Sequence, residues 1–464
     1  MPSAQNLRAA NDAANPNDLA AWWLPFTPNR AFKARPRLIS GAKGMHYYTP
    51  DGRAIIDGAA GLWCCNAGHN RDEIVAAIQQ QAADLDFAPA FQFGHPKAFT
   101  LASRIAELAP GDLEHVFFTN SGSEAVDTAL KIALAYWNVS GQGQRTRLIG
   151  RERGYHGVGF GGISVGGLVN NRRIYPLLAS DHLRHTHDPA RNAFSRGLPE
   201  HGAEWADELE QLVALHGAET IAAVMVEPVA GAGGVLPPPK GYLERLRALC
   251  DKHGILLIFD EVITGFGRTG AAFAATLFGV TPDIMTTAKG ITNAAIPCGA
   301  VFASRQVHDT VVNGGAQGAV EFFHGYTYSG HPVACAVAVA NIRLLQRLNI
   351  VEHVRDDVGP YLASRFEELR DHPLVGHTQA CGLMGAVQMV KDKASGTPFA
   401  SDLAVGMICR AHCFANGLVM RAVGDRMIVA PPLVITRAQV DELVTKARLC
   451  LDLTLADVTA RGWF

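Results

Sequence analysis

Residues 254–292, GILLIFDEVITGFGRTGAAFAATLFGVTPDIMTTAKGIT, decide how the rest of the chain is read. They open on an apolar run, 255–259, that passes straight into two carboxylates, Asp260 and Glu261. A run so short and so apolar suits a strand covered on both faces of a parallel sheet. A carboxylate buried at its end is costly unless a cationic partner is present. In open α/β sheets that end of the strands is where ligands sit. A second short apolar piece, 283–287, then delivers Lys289 just before Gly290. A lysine at a strand end, followed by glycine, is free to reach into a cleft.

Asp260 and Lys289 stand 29 positions apart (289 − 260). A lysine amine can form a Schiff base with an aldehyde. A carboxylate can hold a pyridine nitrogen protonated, which makes the ring an electron sink. The pair suggests pyridoxal phosphate. Either residue alone reads as ordinary surface, since single Asp and Lys side chains are usually solvated. The two motifs FDEVITGFGRTG (259–270) and PDIMTTAKG (282–290) resemble the lysine signature of class III aminotransferases, pyridoxal-phosphate enzymes of fold type I. The resemblance runs from residue 22 to 437 and is strongest to the β-alanine–pyruvate or ω-amino acid–pyruvate group. It implies an α/β fold: a large domain with a mostly parallel sheet flanked by helices, plus a small α+β domain. Residues 1–75 would form an N-terminal arm and part of the small domain, 76–335 the large cofactor-binding domain and 336–464 the C-terminal small domain. It also implies ping-pong transfer of an amino group from a β-alanine-like ω-amino acid or amine donor to pyruvate, in a homodimer or a tetramer of dimers.

Composition agrees with a soluble enzyme. The chain has 464 residues, 48% hydrophobic and 18% charged, enough for a sizeable core. A net charge of −2 gives no electrostatic case for nucleic acid or an anionic membrane surface. No apolar run reaches membrane-spanning length. Nine cysteines, only two of them adjacent and none in a CxxC spacing, read as reduced thiols in the cytoplasm. The opening MPSAQNLRAANDAANPNDLA lacks a basic start and an apolar core, so no secretory leader is expected, and about twenty residues should be flexible.

Along the chain, residues 22–26 (WWLPF) are an apolar cluster that would pin the arm to the body. The resemblance instead takes this segment to the partner subunit, with Phe26 lining a substrate pocket. Residues 37–57 predict two short strands around Pro50-Asp51-Gly52. Trp63 alone reads as core packing, whereas the resemblance puts it at the substrate's tail. His69 binds a ligand or caps a helix over 71–85. Residues 87–99 read as an aromatic loop and 101–108 as a helix. A strand over 116–119, the small turn Asn120-Ser121-Gly122-Ser123 and a helix from Glu124 make an anion site from free N–H groups and the helix dipole. The same residues also read as a plain N-cap box.

The resemblance puts the cofactor phosphate at Ser121, Gly122 and Ser123, stacks Tyr155 on the ring and sets His156, Glu227 and Val262 around it. His156 could equally be a core or supporting residue. Gly157, Gly159 and Gly162 match GxGxxG, but no long strand precedes and no helix is expected after, so a dinucleotide site is rejected. His182, His185 and His187, in a stretch (181–199) read as irregular, lack a metal-site pattern and read as a solvated loop; no metal is expected. Thr327, in an aromatic loop before a helix over 333–348, would touch the phosphate of the neighbouring subunit by resemblance, or else cap a turn. The C-terminal part predicts a helix over 351–370, strands over 375–390, a helix over 403–416, a hairpin over 417–432 and a helix over 439–453. By resemblance Arg421 clamps the oxo-acid carboxylate, which suits a guanidinium's two-pronged geometry. Ile428 stands where some β-alanine–pyruvate enzymes carry glutamine. Rival readings are an aminomutase or decarboxylase of the same superfamily, or a non-catalytic binding protein, which would need neither Lys289 nor Asp260.

Overall fold

The structure is a computed structural model that describes residues 19–192, 194 and 197–464. The flexible N-terminal stretch expected from the sequence lies outside the described residues, apart from its last two. Three short strands, β1 (Gly41–Lys43), β2 (His46–Tyr48) and β3 (Ala54–Asp57), stand where two were expected. The extra strand arises because Gly44 takes φ +58° and closes a tight antiparallel turn that pairs Lys43 with His46.

Seven strands form the central sheet: β4 (His115–Thr119), β5 (Arg147–Arg151), β6 (Ser180–Leu183), β7 (Ile221–Val226), β8 (Leu256–Asp260), β9 (Ile284–Thr287) and β10 (Gly299–Ala303). Their spatial order is β4-β10-β9-β8-β7-β5-β6. β5 to β9 pair in parallel, and β10 alone runs against both of its neighbours, β4 and β9. The carboxyl ends of β4 to β9 therefore share one edge of the sheet.

Both faces are covered, which is why β8 reads as continuously apolar. Leu257 and Phe259 pack into one core with Tyr242 and Leu246 of the helix Tyr242–His253. Leu256 and Ile258 pack into the other with Ala125, Ala129 and Ala133 of the helix Gly122–Val139. Each such side chain contributes about 1.5–3 kcal/mol on burial.

The stretch 417–432 is not one hairpin. β13 (Leu418–Val419) pairs in parallel with β3, whereas β14 (Arg421–Val423) and β15 (Arg426–Val429) join an antiparallel sheet with β11 (Val375–Cys381) and β12 (Met384–Met389), in the order β11-β12-β15-β14. A few residues thus tie the N-terminal segment to the C-terminal one. The helix expected over 351–370 is broken into Ile350–Glu352, a wide π turn His353–Val358 and Gly359–Glu367. Pro360 lacks the N–H that a continuous helix needs. The stretch 181–199 is not irregular throughout: its start completes β6, and Pro189–Asn192 is a helical turn. A short helix, Phe160–Val165, also follows Gly159, where none was expected. No single helix among the described residues is long and apolar enough to cross a membrane.

Candidate active site

The shared strand edge places the predicted side chains. Asp260 ends β8, Glu227 follows β7, Lys289 comes two residues after β9, and Ser121 to Ser123 form the turn from β4 into its helix. Gly122, Ser123, Tyr155, His156, Glu227, Asp260, Val262 and Lys289 line one cavity of about 150 Å³. Val126, Gly157 and Ile263 line it too; none was expected at the site, and Gly157 was named only in the rejected GxGxxG match. Ile263 adjoins Val262, and Val126 lies one helical turn after Gly122, so helix periodicity could have found it. Gly157 is required by close approach: a Cβ there would lie 2.7 Å from the Ser123 Cα.

Asp260 is buried and held at both oxygens. His156 Nδ1 donates to Oδ2 at 2.8 Å, while the Val262 N–H and the Thr286 hydroxyl donate to Oδ1 at 3.1 and 3.2 Å. Thr286 was missed; its only signal was its place in the strand that pairs with the end of β8. Burial lowers the pKa of the Lys289 ammonium, against the opposing charges of Asp260 and Glu227, and so favours the neutral, nucleophilic amine. Lys289 sits at φ +46°, a conformation that non-glycine residues adopt at a cost of about 1 kcal/mol or more. Glu227 accepts the Tyr155 N–H at 3.0 Å and the Gly231 N–H at 2.9 Å, and burial raises its pKa.

At the helix start the N-cap and anion readings hold together. Ser121 Oγ accepts the Glu124 N–H at 3.1 Å and the Glu124 carboxylate accepts the Asn120 N–H at 2.7 Å. Ser121 is thus committed to the cap and does not line the cavity, whereas the first N–H groups of the helix have no intrahelical acceptor. Gly122 leaves room above them: a Cβ there would lie 2.9 Å from Val262 Cγ1.

Trp63 is buried at φ +59°, with the Arg421 guanidinium 4.6 Å above its ring and Lys289 Nζ 6.0 Å from it. Burial lowers the Arg421 pKa, and its Nε has no hydrogen-bond partner. Ile428 pairs with Arg421 across β14 and β15, in the same buried apolar cluster as Trp63. Phe26 and Thr327 are not brought to this cavity. Phe26 is 76% exposed, beside equally exposed Trp22 and Trp23, so the cluster does not pin the arm to its own body. Thr327 is exposed in the turn before the helix Pro332–Arg347. His69 caps nothing; it bonds Asp57 at 2.7 Å in the core. The three histidines are not a solvated loop either: His182 lies in β6, and burial lowers the pKa of all three.

Residues 29–451 match the model of the family described as aminotransferase class-III. The chain belongs to the class III aminotransferases. It is 53% identical over 437 residues to the omega-aminotransferase of Caulobacter vibrioides, covering 94% of this chain and 98% of that one. It is 46% identical over 442 residues to the beta-alanine–pyruvate aminotransferase of Pseudomonas aeruginosa, covering 95% and 97%. The omega transaminase from Pseudomonas jessenii in complex with PMP superposes with a TM-score of 0.89 at 36% identity, over 94% of this chain and 97% of that one. Class III aminotransferases are fold type I enzymes that use pyridoxal phosphate. The residues present fit that group: an amine and a carboxylate face one cavity, and a helix N-terminus opens onto it through a glycine whose Cβ would crowd Val262.

Proposed function

We propose that this aminotransferase moves an amino group from an ω-amino acid or amine donor to pyruvate by ping-pong exchange, as a homodimer or a tetramer of dimers in the cytoplasm. The observation that carries the reading is the cavity shared by Lys289 and Asp260, with Arg421 stacked on Trp63 beside it. The names of the similar ω-amino acid and β-alanine–pyruvate enzymes support the substrates.

When bound, pyridoxal phosphate supplies an aldehyde carbon for amine exchange and a ring that takes up electron density. Lys289 Nζ would hold the cofactor, and its neutral amine would be the group that gives and takes protons there. The Asp260 carboxylate, oriented by His156, would keep the ring nitrogen protonated. The Gly122 and Ser123 N–H groups would hold the phosphate, with Tyr155 and Glu227 lining the same cavity. Arg421 takes the pyruvate carboxylate and can turn aside for an uncharged donor, since no carboxylate among the described residues pins it.

The dimer rests on aromatic residues left exposed on one chain, among them Trp22, Trp23, Phe26, Phe93 and Phe323. Phe26 and Thr327 would then complete the neighbour's pocket and phosphate site. The nine free thiols support a reducing compartment. An activity screen of donors (β-alanine, longer ω-amino acids, taurine, 1-phenylethylamine) against acceptors (pyruvate, 2-oxoglutarate) tests the reading. Net transfer to pyruvate is expected. Carbon dioxide release or isomerisation without net transfer would reject it.

A further inference from the structure

Arg410 lies midway along the helix Val405–Ala415, and a glycine one turn earlier fixes where it points along the fold. Gly406 has no room for a Cβ beside the Gly424 carbonyl, and its N–H donates to Asp425 Oδ1 at 2.8 Å. The helix therefore rests on the turn that ends β14, and it packs along β14 and β13. Residues four apart share a helix face. Arg410 follows Gly406 on that face, beside the strand that leads back from Gly424 to Arg421. Four residues further on, the Phe414 ring has the Arg37 guanidinium at 5.6 Å and that of Arg53 at 5.5 Å.

Arg37, Arg410 and Arg421 thus form a row. Arg37 is exposed, Arg410 and Arg421 are half-buried, and Arg421 ends the row over Trp63. Arg53 spends its guanidinium on the Phe414 and Ala415 carbonyls, at 3.2 and 2.8 Å. No carboxylate or carbonyl among the described residues pairs with the other three. Asp425 is engaged at the helix start instead. The charged neighbours that act on the row are its own members. Burial, and after it Arg37, lowers the Arg410 pKa; burial, and after it Arg410, lowers that of Arg421. Like charges side by side repel, and partial burial weakens the screening that would relieve them. The chain as a whole carries −2, so the row is no by-product of a basic protein. Uncompensated cations that lead into a cleft raise the local concentration and on-rate of anions.

We infer that Arg410 is a second carboxylate-binding residue, which takes the oxo-acid acceptor from the surface at Arg37 and passes its carboxylate to Arg421. This rests on the reading of pyruvate as the acceptor. A donor that carries an ammonium and no carboxylate gains nothing from the row.

The salt dependence of kcat/KM for pyruvate, in the cofactor-loaded enzyme, tests this. Raising the ionic strength from about 0.01 to about 0.15 M shortens the screening length from about 30 to about 8 Å, so kcat/KM of the parent should fall. Arg410→Met should lower it about tenfold at the low-salt end, through KM, and reduce the salt slope. Arg410→Lys, which keeps the charge, should restore most of both, and the half-reaction of 1-phenylethylamine should be spared throughout. If Arg410→Met does not fold, Arg410→Gln takes its place with the same expectation. A parent insensitive to salt, a neutral variant with the parent's KM and slope, an Arg410→Lys variant no better than the neutral one, or equal damage to both half-reactions would overturn the inference alone. A parent that transfers nothing to pyruvate would reject the proposed function and this inference with it.

Discussion

Asp260 and Glu261 are consecutive carboxylates at one strand end, and both are buried. Successive side chains of an extended segment point to opposite sides, so the two meet different surroundings. Asp260 turns into the cavity, where a histidine, a threonine and one backbone N–H hold it beside Lys289. Glu261 turns away and accepts the Ala274 and Ala275 N–H groups at 2.8 and 2.6 Å and the Thr264 hydroxyl at 2.5 Å. It secures the start of the helix Ala274–Phe278. With donors but no cation, burial dominates and raises its pKa to about 7. The same chemical group at adjacent positions faces the cavity in one case and secures a helix start in the other.

Substitution separates the two roles. Asp260→Asn should lower kcat about 10²–10³-fold or more, because it removes charge aimed at the reacting ring, and should cost stability as Glu261→Gln does, since each carboxylate accepts three hydrogen bonds. Comparable kcat in variant and parent would put Asp260 outside the chemistry. Arg421→Ala comes next: KM for pyruvate should rise by the equivalent of about 2–5 kcal/mol, with the half-reaction of 1-phenylethylamine spared. Equal damage to both halves would mean that Arg421 supports the fold or the cofactor.

Glu261→Gln should differ from Asp260→Asn in kcat, which it nearly keeps, while stability falls by about 1–3 kcal/mol through lost hydrogen bonds. Its pH profile sharpens the contrast. The folded pKa of Glu261 lies above its usual 4.5. Its contribution is therefore fully present below 4.5 and is lost as pH rises to about 7. Unfolding experiments from pH 4.5 to 7 should show this decline in the parent and not in Glu261→Gln; parallel profiles would refute the assignment. The smallest effect is Thr327→Ala, which should weaken cofactor retention by about 1–2 kcal/mol, and only in the dimer. Retention by a monomer, read by sedimentation with absorbance detection, would remove Thr327 from the neighbour's site.

The parallel strands were legible because β7 and β8 are short, apolar and closed by carboxylates, and the Lys289 turn because a glycine follows it. What escaped depended on contacts distant in sequence. Nothing local in 417–432 says that Leu418 pairs with Ile56 while Arg421 pairs with Ile428. The broken helix before Gly359–Pro360 was legible from the proline but was overridden by amphipathic spacing. His182 looked solvated because β6 is an edge strand whose polar residues are half-buried by elements distant in sequence, with Arg172 and the Gly166 carbonyl bonding the His182 ring. Phe26 and Thr327 carry no signal within one chain, since what they would touch belongs to another.

Lys289 shares one cavity with Asp260 and is the lysine proposed to hold the cofactor. Borohydride reduction of the cofactor-loaded protein, followed by digestion and mass spectrometry, tests it directly. One pyridoxyl phosphate adduct is expected, on the peptide containing Lys289, and none in Lys289→Ala. An adduct on another lysine, or one that persists in Lys289→Ala, would contradict it.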